Sequence, residues 1–132
     1  MPFYLIKHID GGINALEHSY LMKDGEGVKI GDALKLDSAG RLTKVSATDI
    51  PEFVSNRTQT SESPSRTAIP VIRVTEADEF ETNASATIAQ SLVGSKVTIG
   101  SDAASVTATT TGGVFTLSAT DGDKKVRGFF RR

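Results

Sequence analysis

His8 and His18 are the chain's two histidines, and it has no cysteine. A zinc site would therefore need both imidazoles together with carboxylates such as Asp10 or Glu17. Their spacing gives that arrangement no support. Asp121-Gly122-Asp123 has the start of a calcium loop, but no ordered acidic run or closing Glu follows, so a plain β-turn is expected. Glu76, Asp78, Glu79 and Glu81 form an acidic knot interrupted by Phe80. Alternation along a strand would split Glu79 and Glu81 from Asp78, which keeps the four from converging on a hard cation. A solvated strand edge that discourages stray pairing fits the knot better.

Other chemistry is equally thin. The sequence has no GxxxxGK[ST], no GxGxxG and no GxSxG, and nothing pairs a serine with a histidine and a carboxylate. The expectation is therefore no catalytic residue, no cofactor and no metal: a protein that is not an enzyme. Asn56-Arg57-Thr58 and Asn83-Ala84-Ser85 match the glycosylation sequon, which matters only in a eukaryotic secreted protein. Gly31-Asp32-Ala33-Leu34 resembles the turn of biotinyl and lipoyl carrier domains. Those domains display a lysine on a tight hairpin after such a turn, whereas Met22-Lys23 lies before it. From Lys124 to Arg132 the chain carries five positive groups in nine residues, with Phe129 and Phe130 among them. A nucleic-acid tail would use these types. Yet Val126 to Phe130 alternates like a closing strand whose cations balance the knot, leaving Arg131 and Arg132 for a partner.

Bulk properties narrow the class. At 132 residues the chain reads as one domain. Size scaling gives a folded surface of ~6,700 Å² and burial of roughly two-thirds of the unfolded surface, enough for a core without disulfides. Val, Ile and Thr supply 34 residues and Gly another 12, a strand-and-turn composition. Net charge is −1, which gives no electrostatic footprint for nucleic acid or membrane. No apolar run approaches the ~20 residues of a spanning helix, and MPFYLIKHID lacks the features of a signal peptide.

The organising stretch runs from residue 26 to 55. Val28, Ile30, Leu34 and Leu36 share one parity and Lys29 and Lys35 the other, the pattern of a strand with one dry and one wet face. Gly31-Asp32 marks a bulge or bend, and Asp37-Ser38-Ala39-Gly40 a short loop before Arg41–Val45 returns. Residues 1–25 read as an apolar N-terminal arm followed by a short helical or irregular segment, with Ile13, Leu16, Tyr20 and Leu21 at helix-like spacings. Residues 26–132 read as a single β domain. Residues 56–67 lack any large apolar side chain and read as a flexible loop. Ile69–Val74 is a strand with Pro70 at an edge, and residues 84–92 suit a short helix or a strand. Strands are expected at 96–99, 105–110, 114–119 and 125–130, with Gly112-Gly113 turning a hairpin between the second and third. The fold class is mainly β: a small antiparallel β-barrel or sandwich with an extended N-terminal arm.

The order of these elements resembles the decoration (cement) proteins of tailed bacteriophage capsids. The residues concerned are Gly27–Asp37, Gly40–Val45, Pro70–Val74, Leu92–Ile99, Val106–Thr109 and Val126–Phe129. The resemblance implies a β-rich structural virion protein on the outer surface of the capsid, made in the host cytoplasm. Its expected partners are the major capsid protein and two further copies of itself in a homotrimer, with no direct nucleic acid and no membrane. It would stabilise the shell by bridging neighbouring major capsid subunits. A host-binding module of a tail or fibre is the alternative. Candidate capsid or protomer contacts are Phe3, Tyr4, Leu5 and Ile6 in the arm, and Phe129, Arg131 and Arg132 at the C-terminus.

Overall fold

β-branched residues in alternation, punctuated by Gly and Asp, favour strands joined by tight turns. In the computed structural model, which describes residues 3–8 and 17–130, strands account for nearly all regular structure. They are β1 (Tyr4–His8), β2 (Glu17–Leu21), β3 (Ala33–Leu36), β4 (Leu42–Lys44), β5 (Phe53–Ser55), β6 (Ala68–Arg73), β7 (Asp78–Asn83), β8 (Lys96–Val97), β9 (Phe115–Thr120) and β10 (Lys125–Phe130). Two five-stranded sheets result: sheet A in the order β1-β7-β10-β9-β8, and sheet B in the order β2-β6-β5-β3-β4. All strand pairs in both are antiparallel. Of the two architectures the sequence allowed, the sandwich forms and the closed barrel does not.

Each sheet brings its own apolar centre. Between the sheets, Phe3, Phe80, Phe115 and Phe130 meet with Ile88, Val97, Ile99 and Leu117, joined by Ala33, Val45 and Val54 from sheet B. On the other face of sheet B, Leu34, Leu42, Phe53, Ile69 and Val71 gather with Met22 and Val28. Sheet B folds over this second cluster until Met22, just past β2, makes a parallel bridge to Leu42 of β4. That one bridge spans the two edges of the sheet without closing a barrel. The middle of sheet B, at β5 and the start of β3, is thus buried on both sides, and adjacent residues Ala33 and Leu34 are both fully buried. The expected dry-and-wet alternation across Val28–Leu36 fails at Ala33 and Leu34 for this reason.

Several sequence expectations need correction. Residues 17–21 form a strand instead of helical turns, because five consecutive residues pair with β6 and so short a helix has little stability of its own. Residues 9–16, with Ile13 and Leu16, lie outside the described residues. Residues 84–92 form neither helix nor strand: Ala84 makes a single bridge, Ile88 is buried, and Gln90–Leu92 is one 3₁₀ turn. No strand spans 105–110, where Val106 alone bridges Ile99 and Ala84. Nor do Gly112 and Gly113 turn a hairpin, since β9 pairs with β8. Gly113 is needed for close approach, because a Cβ there would run into the Lys96 carbonyl.

The stretch at 56–67 is pinned in place. Val28 and Gln59 exchange two backbone hydrogen bonds (2.9 and 2.8 Å), and Gly25 N–H donates to the Glu62 carbonyl at 2.7 Å. Ser65 N–H donates to Asp24 Oδ1 at 2.8 Å. Backbone pairing holds this polar segment over the second core, which is why its lack of apolar side chains misled. The acidic knot is not an edge either: β7 lies between β1 and β10. Asp78 and Glu79 are buried, Glu79 Oε2 accepts from Ser118 Oγ at 2.7 Å, and Glu81 lies 3.7 Å from Lys125 and 3.9 Å from Arg127. The closing-strand reading of the C-terminus therefore holds for Lys125–Phe130, and its Lys125 and Arg127 pair with one member of the knot, Glu81.

Candidate contact surface

The contact candidates separate by burial. Phe3 is 2% exposed and stacks edge-on against Phe130, with ring centroids 4.9 Å apart. Leu5 is half-buried against the same core. Phe129 is buried as well. Phe3 thus packs in the core between the sheets, and Phe129, on the opposite face of β10 from Phe130, is also buried within the chain, so both leave little surface for a partner. Tyr4 (48% exposed) and Ile6 (36%) do face solvent. Arg131 and Arg132 lie outside the described residues.

Ile30, at 46% exposure, completes the set of large exposed apolar side chains among the described residues. Its parity with Val28 and Leu34 hid it. Gly31 takes a positive φ of +87° at the end of a turn closed by Asp32 N–H donating to the Lys29 carbonyl (3.0 Å), and that turn throws Ile30 outward. The Gly31-Asp32 bend was the available signal. Tyr4 and Ile30 flank a notch of about 320 Å³ floored by Leu5, Val54, Ile72 and Phe80.

This notch lies along a strand edge. β1 is the terminal strand of sheet A. On its far side Phe3 N–H donates to the Gly31 carbonyl at 3.0 Å. Leu5, two residues on, turns its N–H and C=O the same way by antiparallel alternation. The register with β7 then shifts between Leu5 and Lys7. Free strand edges are ready templates for another chain. The opposite edge of sheet B is closed instead: Leu42 O accepts from Lys23 N–H, and Glu26 takes Lys44 N–H at 2.7 Å and Thr43 Oγ1 at 2.9 Å.

Beside the notch, Lys29, Asp32, Lys44, Thr58 and Asp102 line a second cleft of about 470 Å³. Burial pushes the Asp32 carboxyl above its ordinary value, against the pull of the Lys29 N–H and the Lys44 ammonium. Asp102 moves the other way: burial raises it, but hydrogen bonds from Ala104 N–H (3.0 Å) and Ser105 Oγ (2.9 Å) hold it below the usual value. Among the described residues no group of three His, Cys, Asp or Glu could hold a metal ion. His18 stacks on Tyr20 at 6.5 Å, beside Phe53.

The fold is a two-sheet antiparallel β-sandwich in which exposed Tyr4 and Ile30 flank a notch beside the terminal strand β1. Comparison of the chain with protein-family models, with curated proteins and with solved structures finds no match.

Proposed function

We propose that this chain is a structural component of a tailed-phage virion. It sits on the outside of the capsid as a homotrimer and bridges neighbouring major capsid subunits, and no bond is made or broken in its work. The observation behind this reading is that Tyr4 and Ile30, both exposed, flank a notch beside the terminal strand β1, where a binding partner could add strand pairing to apolar contact. The sequence resemblance to decoration proteins supplies the identity of that partner. Specific interfaces bury about 1,200–2,000 Å² in total, and three copies acting together raise the effective concentration of each weak contact.

The test is sedimentation of the purified chain with and without emptied phage heads. Co-sedimentation is expected, together with a higher temperature for DNA release from decorated heads. Tyr4→Ser combined with Ile30→Ser should abolish co-sedimentation while leaving the fold intact. Binding to host cells with no effect on heads would favour the tail or fibre alternative and overturn this one.

A further inference from the structure

Asp32 stands where the two halves of the molecule are tied together. Gly31 accepts the N–H of Phe3, just before β1 (3.0 Å), and donates to the Ser55 carbonyl of β5 (2.7 Å). Asp32's carbonyl accepts the Ser55 N–H (2.9 Å), and Ala33 donates to the Ala103 carbonyl (2.7 Å). One short segment therefore holds the edge of sheet A, the middle of sheet B and the loop around Ala103. That loop reaches in with Ala103 fully buried at a positive φ of 57°.

The carboxyl on this segment is poorly compensated. Its side chain is 3% exposed. Among the described residues, the two groups that reach it both fall on Oδ2: Lys29 N–H at 2.9 Å and Lys44 Nζ at 3.6 Å. Charge-assisted hydrogen bonds run at about 2.7–2.9 Å, so the lysine contact is a long one. Among the described residues, the charges acting on Asp32 are Lys44 on β4 and, of like sign, Asp102 on the loop, while Lys29 lines the same cleft. Burial removes hydration that these contacts replace only in part.

We infer that the Gly31–Asp32 seam is an acid-strengthened latch: a proton on Asp32 tightens the junction of β1 with sheet B, and its loss loosens the Tyr4–Ile30 surface. The direction follows from linkage. A buried carboxyl raised above its value in water binds its proton more tightly when the seam is closed. Stability from the protonated latch is fully present below the unfolded value and is lost as pH rises through the folded one. The latch would thus regulate the contact surface proposed above. It rests on that reading only for what the surface is used for, because its test needs the isolated chain alone.

That test is amide hydrogen exchange on the full chain between about pH 4 and about pH 7, corrected for intrinsic rates. Protection at Phe3, Gly31, Ala33 and Ser55 should fall several-fold as pH rises, relative to amides within β9 and β10. Asp32→Asn, an isostere without the charge, should flatten the profile. Lys44→Met should steepen the fall and Asp102→Asn should shrink it, and this opposed pair decides the matter if Asp32→Asn does not fold. A flat wild-type profile would overturn the latch, as would the same fall persisting in Asp32→Asn. Head binding plays no part in these readouts, so failure of the latch and failure of the capsid proposal are distinct outcomes.

Discussion

The two cores of this protein are made differently from one backbone. The core between the sheets is aromatic: Phe130 lies 4.9 Å from Phe3, 5.2 Å from Phe80 and 5.0 Å from Phe115, ring centre to ring centre. The core inside curled sheet B is mostly aliphatic, and a polar segment held by backbone hydrogen bonds helps to cover it. Yet both draw on the same strands. On β3, Ala33 faces one core and Leu34 the other, and on β5 the same holds for Val54 and Phe53. Strands buried on both faces couple two clusters that would otherwise be separate folding units.

That coupling can be broken from either side. The largest effect should come from Phe130→Ala, which removes the ring shared by three aromatic contacts and should cost about 3–5 kcal/mol. Leu34→Ala on the other face should cost about 2–5 kcal/mol. Chemical denaturation should show a single transition in both variants. The chain has two tyrosines and no tryptophan. Tyr4 reports on sheet A, and Tyr20, whose ring lies 5.1 Å from Phe53, reports on the second core. Fluorescence of single-tyrosine variants should give coincident midpoints, whereas separated midpoints would show that the cores fold independently.

Smaller perturbations sharpen the contrast. Removing residues 61–65 deletes the partners of Gly25 and Asp24 and should lower the midpoint seen by Tyr20 first. An unchanged midpoint would mean that this cover contributes nothing. Gly113→Ala should cost about 1–3 kcal/mol through overpacking against the β8 backbone, read as a lower melting temperature. The smallest effect concerns Asp49, held at about 2 chiefly by the Lys35 ammonium and by Ser46 N–H. Its folded value is depressed, so its stabilisation is present above the unfolded value and is lost as pH falls through about 2. Asp49→Ala should cost about 1 kcal/mol at neutral pH, since the pair is partly solvated, and the difference from wild type should vanish in strong acid.

Much of this was legible in the residues. Asp37–Gly40 and Asp121–Asp123 turn as their side chains dictate: Asp37 Oδ1 accepts from Ala39 and Arg41 N–H, and Asp121 Oδ1 from Asp123 N–H. The closing strand at Val126–Phe130 was plain from its alternation. Other features were hidden for definable reasons. Periodicity reports burial on one face, so it could not anticipate a strand buried on both. It also assumes an unbroken strand, so the bend at Gly31 reversed the expected side of Ile30. A polar loop pinned by its backbone leaves no trace in side-chain hydrophobicity.

By itself the sequence determined that this chain is a β-rich protein, that Asp37–Gly40 and Asp121–Asp123 are turns, and that Val126–Phe130 is a strand. These are local properties, set by conformational preference and by alternation over a few residues. Tertiary structure alone decided that β7 would be interior, that Phe3 would be core while Tyr4 and Ile30 faced outward, and that Asp32 would be buried at the junction of two sheets. Such outcomes depend on which strands become neighbours. That choice is made by burial summed over distant segments, and no single stretch of chain contains it.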